Sequence, residues 1–175
     1  MLNTEGGKYP MSFKLGFGEL FGGAYRMRLA ALTIAAVMGL AYVMNFSGQT
    51  GAIGAFLAGS GSFFPFISPI LGWVGTAVTG SATSANALFS KMQATAATSV
   101  GAEPALMVGA NTTGAVIGKM LSPQTLTIAS AAVQMENGEA KIMKNIIGFS
   151  IGLILFACVL VFLQSTPILG WMVVS

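Results

Sequence analysis

The sequence predicts an all-α integral membrane fold, with spanning helices, a re-entrant helical hairpin and a discontinuous helix. Three observations lead there. Of 175 residues, 54% are hydrophobic and only 7% charged, against about 25% charged in an ordinary soluble domain. Mean hydropathy is +0.79. The stretches 29–90 and 145–175 carry no formal charge at all, and a helix needs about 20 apolar residues to cross the hydrocarbon core. Finally, the apolar runs are interrupted by Pro, Gly and uncharged hydroxyl and amide residues, the pattern of broken membrane helices.

The elements follow in chain order. Residues 1–28 are mixed and Gly-rich. Phe13, Phe17, Leu20, Phe21 and Ala24 fall on one helical face, which predicts a short cytoplasmic or interfacial segment. The membrane domain then occupies 29–175. Residues 29–46 predict a spanning helix anchored by Arg26 and Arg28. Residues 51–62 are small and apolar, closing on Gly59-Ser60-Gly61-Ser62. Residues 63–99 predict a re-entrant hairpin of two arms. Pro65, Pro69, Gly72 and Gly75 are expected to break or kink its first arm, and the polar run 79–86 separates it from the second arm, which carries Lys91 and Gln93. Residues 105–133 predict one helix broken twice, at 111–114 and at 119–124. A charged loop is expected at 135–144, then a spanning helix at 145–163. The tail, with Pro167 and Trp171, has the composition of an interface anchor.

Composition also excludes functions. With no His, the usual general base and the Ser and Cys triads are missing. One cysteine, Cys158, allows neither an intrachain disulfide nor a CxxC site. No catalytic residue, metal ligand or cofactor is expected, and the five acids form no acid/base pair. The net charge of +3 comes without a basic stripe to follow a phosphate backbone, so no nucleic-acid partner is expected. The bases report orientation instead. Lys8, Lys14, Arg26, Arg28, Lys141 and Lys144 put the N-terminal segment and the 135–144 loop in the cytoplasm and the C-terminus outside. Two full crossings in place of the hairpin would give the same sidedness.

Backbone at membrane depth must be satisfied internally or line a cavity. In secondary transporters, broken helices meet near the midplane and their N-termini face an anion. On that pattern the candidate substrate-binding residues are Ser81, Thr83, Ser84 and Asn86 on the first island and Asn111, Thr112 and Thr113 on the second. Equally, such residues could tie packed helices together. Lys119 is a further candidate: an intramembrane charge costs roughly 2.5–3.5 kcal/mol on the mild insertion scale, which an anionic substrate would offset. Snorkelling to an interface would offset it too. Gly148-Phe149-Ser150-Ile151-Gly152 matches a nucleophile elbow, but a triad cannot be built without His. Gly114 to Met120 is one residue short of a P-loop and lacks its Ser/Thr; its GxxxG reads as close helix packing.

Four blocks, in this order and spacing, carry a resemblance: Phe64-Pro65-Phe66-Ile67-Ser68-Pro69-Ile70-Leu71-Gly72-Trp73-Val74-Gly75, Thr79-Gly80-Ser81-Ala82-Thr83-Ser84-Ala85-Asn86-Ala87-Leu88-Phe89, Ala110-Asn111-Thr112-Thr113-Gly114 and Gly118-Lys119-Met120-Leu121-Ser122-Pro123-Gln124. Together they resemble the bacterial L-lactate permease family. The resemblance implies half of an inverted-repeat ion-transporter fold in the bacterial inner membrane, multi-pass, that imports lactate or glycolate with protons. It departs at Ala82, where the family usually has Asp, and at Ala85, where it usually has Ser. The matching part is the C-terminal end of much longer proteins. The implied partners are therefore a small monocarboxylate, protons, the bilayer, and either the N-terminal half of the carrier or further copies of the chain. The alternative is a non-transporting structural subunit that oligomerises through its small-residue faces.

Overall fold

The computed structural model describes residues 27–135 and 138–173, together with 16, 18, 22, 23 and 25. The interfacial segment expected at 1–28 lies mostly outside these residues. Two compact units divide the chain, 1–36 and 37–175. In the first, the Arg28 guanidinium stands over the Tyr25 ring at 3.9 Å, a cation–π contact at the start of a helix.

Seven α-helices are described: α1 (Arg28–Phe46), α2 (Gln49–Ala58), α3 (Phe64–Thr79), α4 (Ala82–Val100), α5 (Pro104–Gly118), α6 (Pro123–Ala132) and α7 (Glu139–Gln164). No strand occurs among the described residues. Gly61–Thr79 and Glu139–Gln164 are each long and apolar enough to cross a membrane. The pair Ala31–Phe46 and Gln49–Ala58, bent by 75° at its break, meets that measure jointly. The outward residues suit lipid: Phe149 and Phe156 on α7 and Tyr42, Val43 and Phe46 on α1 are exposed. With apolar solvent outside, burying apolar surface gives little drive, so helices must be held by close packing and hydrogen bonds.

Both devices are present in the second unit. Helices α3 and α5 run parallel, with α4 antiparallel between their ends. Gly72 on α3 and Gly114 and Gly118 on α5 let the two backbones touch. A Cβ at Gly114 would collide with the Pro69 carbonyl group, one at Gly118 with that of Trp73, and one at Gly72 with that of Asn111. The GxxxG of α5 is thus filled by α3, as close packing within the chain. Gly54 seats α2 on α4 in a looser way, its Cβ position lying 3.1 Å from the Met92 carbonyl oxygen. At the end remote from the hairpin turn, Phe64, Ala96, Ala97, Met107, Ala110 and Val161 form the buried apolar cluster. The Trp73 indole N–H donates to the Ser150 hydroxyl at 2.9 Å, which ties α7 to α3.

Several expectations need correction. Helix α3 runs unbroken from Phe64 to Thr79 with Pro69 inside it. Pro65 lies in the first turn, where its missing N–H has no intrahelical partner to lose. Pro69 forfeits one bond, and Gly72 and Gly75 serve approach rather than kinking. The segment 105–133 breaks once, not twice: α5 continues through 111–114. There the Thr112 and Thr113 hydroxyls donate back to the carbonyls of Val108 and Gly109 at 3.1 and 3.0 Å, so the polar groups are absorbed without opening the backbone. The real interruption is the 3₁₀ turn Lys119–Leu121, closed by Ser122 at φ −68°, ψ 140°. Residues 82–86 belong to α4 rather than to a polar connector, which shrinks the connector to Gly80 and Ser81. Residues 51–58 are helical, and the last helix begins at Glu139, so the charged stretch 139–144 forms its first turns.

Candidate functional site

The turn between α3 and α4 is set by two residues. Gly80 has φ 72° and donates its N–H to the Thr76 carbonyl at 2.8 Å; the left-handed region is open to Gly at no steric cost. Ser81 is extended, and its hydroxyl accepts from the Ser84 N–H at 3.2 Å, an N-cap on α4. Thr79 folds over the turn, its hydroxyl donating to the Gly75 carbonyl at 2.8 Å.

The break between α5 and α6 lies against this turn. The Lys119 ammonium donates to the Gly80 carbonyl and, at 2.9 Å, to Gln124 Oε1. Ser122 caps α6 by accepting from the Thr125 N–H at 3.4 Å. Two helix starts, α4 and α6, therefore stand near one ammonium group, with Lys119 half-buried. Partial positive charge at helix N-termini adds to that of the lysine.

Further along α4 and α5 a chain of side-chain hydrogen bonds begins. Asn111 Nδ2 donates to Asn86 Oδ1 at 2.6 Å, and the Thr112 hydroxyl approaches the same oxygen at 3.3 Å. Gln93 Nε2 donates to Asn111 Oδ1 at 2.7 Å and to the Ser68 carbonyl at 3.1 Å. The Ser68 hydroxyl donates to Gln93 Oε1 and lies 3.2 Å from the Met107 carbonyl. Ser68, Gln93 and Asn111 are completely buried; Asn86 is half-buried and Thr112 exposed. The network is buried at one end and open at the other.

Of the residues singled out from the sequence, Asn86, Asn111 and Thr112 come together. Ser81 and Lys119 join at the turn through Gly80. Ser84 is buried and gives its N–H to the cap. Thr83 is exposed on the first turn of α4. Thr113 is the exception. It faces away from Asn86 and lines a cavity of about 420 Å³ between α5 and α7 with Ala110, Ala157 and Leu160. Sequence reading missed Ser68, Gln93 and Gln124. The seven-residue spacing of Asn86 and Gln93, two helical turns, was the signal for Gln93. Nothing in the local sequence marked Ser68. No cluster of metal-binding side chains occurs among the described residues.

Long apolar helices, a helical hairpin and a helix interrupted at Lys119 define a helical membrane protein. The comparisons give the family. Residues 12–168 match the L-lactate permease family model, and the chain belongs to that family, one of permeases rather than enzymes. An L-lactate permease of Bacillus subtilis is 46% identical over 147 residues, covering 84% of this chain and 26% of that protein. An Escherichia coli K12 L-lactate permease is 40% identical over 149 residues, 84% of this chain and 26% of its own length. The glycolate permease GlcA of the same organism is 36% identical over 163 residues, 93% of this chain and 29% of its length. The chain thus spans about a quarter of the relatives it matches. No solved structure matches it.

Proposed function

We propose that this chain forms part of a multi-pass carrier of the bacterial inner membrane that takes up L-lactate or a similar 2-hydroxy monocarboxylate such as glycolate, together with protons. It would work with the portion of the carrier that its relatives possess beyond the matched segment. The observation that carries the reading is the open Asn86–Thr112 edge of the buried amide network, carried by the same two helices, α4 and α5, whose ends meet at Lys119. A carboxylate at that edge would receive the amide donors of Asn86, while the Lys119 ammonium, seven residues or about 10 Å further along the chain, would attract it as a charge, in a setting where both are worth more than in water. Ser81, Ser84 and Asn111 hold these groups in place and Thr83 borders them. Thr113 contributes nothing to the site.

The proton's route has no residue assigned, because Ala82 stands where the family usually has Asp. An oligomerising subunit is the weaker reading, since its GxxxG packing face is occupied by α3. The test is uptake of labelled L-lactate by a chimera in which this chain replaces the matching segment of the Bacillus subtilis relative. A large loss of uptake at low L-lactate concentration in Asn86→Ala, with the protein still inserted, supports the reading. Unchanged uptake in that variant overturns it.

A further inference from the structure

We propose that Gln93 is a positioning residue: through Asn111 it fixes the side-chain amide of Asn86 so that its N–H₂ group, not its oxygen, faces the substrate carboxylate. This rests on the carboxylate site proposed above. The inference comes from the polarity of the buried chain. Side-chain amides have one accepting and one donating end, and which end points where must follow from their partners. At the closed end the partner leaves no choice. The Ser68 backbone carbonyl can only accept, so the Gln93 atom 3.1 Å from it must be the nitrogen. The same nitrogen lies 2.7 Å from Asn111, which must therefore present Oδ1. Asn111 then has Nδ2 toward Asn86 at 2.6 Å, and Asn86 must answer with Oδ1. That oxygen also faces the Thr112 hydroxyl at 3.3 Å. Both N–H bonds of Asn86 are left without a hydrogen-bond partner among the described residues, on the half-buried side chain where the network opens.

Each amide in the series sends an N–H toward the open end, and the second N–H of Gln93 is anchored on the Ser68 carbonyl at the closed end. A reversal at either buried link would leave two acceptors or two donors facing each other away from solvent. Gln93 and Asn111 are completely buried, so the polarity is held by packing as well as by bonding. The ligand chemistry follows: a carboxylate, which only accepts, meets a group that only donates.

The experiment is a double-mutant cycle on KM for L-lactate uptake in the chimera described above. Gln93→Met keeps much of the volume and removes both ends of the amide. It should raise KM about tenfold, with maximal rate per inserted carrier retained, the scale of one misdirected buried hydrogen bond. Asn86→Ala should raise KM about 30-fold, the scale of both donors. Because Gln93 acts only through Asn86, the double variant should match Asn86→Ala alone, not the product of about 300-fold expected of independent sites. Ser68→Ala removes the hydroxyl that holds Gln93 Oε1 and disturbs the core less. It should raise KM about threefold, again with no added effect in the Asn86→Ala background; it decides the matter if Gln93→Met fails to insert. Multiplicative effects, or an unchanged KM in the inserted Gln93 or Ser68 variants, overturn the positioning role while the carboxylate site stands. An unchanged KM in Asn86→Ala overturns the site itself.

Discussion

The two polar islands, 79–86 and 111–114, both combine Thr, Asn and Gly, yet their backbones do opposite things. At the first, Gly80 turns left-handed at φ 72° and the chain reverses. At the second, α5 passes through without a break. The difference lies in what each glycine faces. Gly80 has only the side chains of Gln124 and Ser122 near its Cβ position, the nearest atom at 3.8 Å, so its conformation, not its size, is needed. Gly114 lies against the Pro69 backbone, so its size is needed and its conformation is helical. A polar island in an apolar sequence therefore does not specify a break. It specifies either a turn or a seam, and the neighbouring helix decides which.

The largest effect should come from the seam. Gly114→Leu drives a side chain into the α3 backbone, which cannot yield as a side chain could. Loss of the folded protein from the membrane is expected, read by fluorescence-detected size exclusion. A well-folded variant would mean that α3 and α5 are not in contact there. At the turn the cost is smaller. Gly80→Ala puts a Cβ in the left-handed region at about 1–2 kcal/mol, a lower Tm of the purified chain with folding retained. Ser81→Ala removes one N-cap at about 1 kcal/mol, and a Tm equal to that of the parent would show that α4 does not depend on it. Thr113→Val should be almost silent in both Tm and uptake, since its hydroxyl reaches only its own helix. A loss of uptake equal to that of Asn86→Ala would restore Thr113 to the site.

Much of this was legible in the sequence, and for identifiable reasons. Long uncharged runs fix the helices, and the Lys119–Gln124 interruption was readable because Ser122-Pro123 combines a cap with a residue suited to a helix start. The continuity of α3 was not readable. Pro69 and Gly72 look like breakers in isolation, and only the approach of α5 explains them. The site was half legible. Asn86, Asn111 and Lys119 stand out as polar groups in apolar surroundings, but which face of α5 Thr112 and Thr113 occupy depends on the rotation of that helix against α4. Ser68 became visible only through its contact with Gln93, which is 25 residues away.

The central claim is that the Asn86–Thr112 edge, and not the opposite face of α5, meets the substrate. Thr112 and Thr113 are adjacent, both exposed, and differ only in that respect. The direct measurement is the rate of maleimide labelling at Thr112→Cys and Thr113→Cys in the chimera, each in a Cys158→Ala background, with and without saturating L-lactate. Substrate should slow labelling at position 112 and leave position 113 unchanged. Protection at 113 with none at 112 would contradict the account.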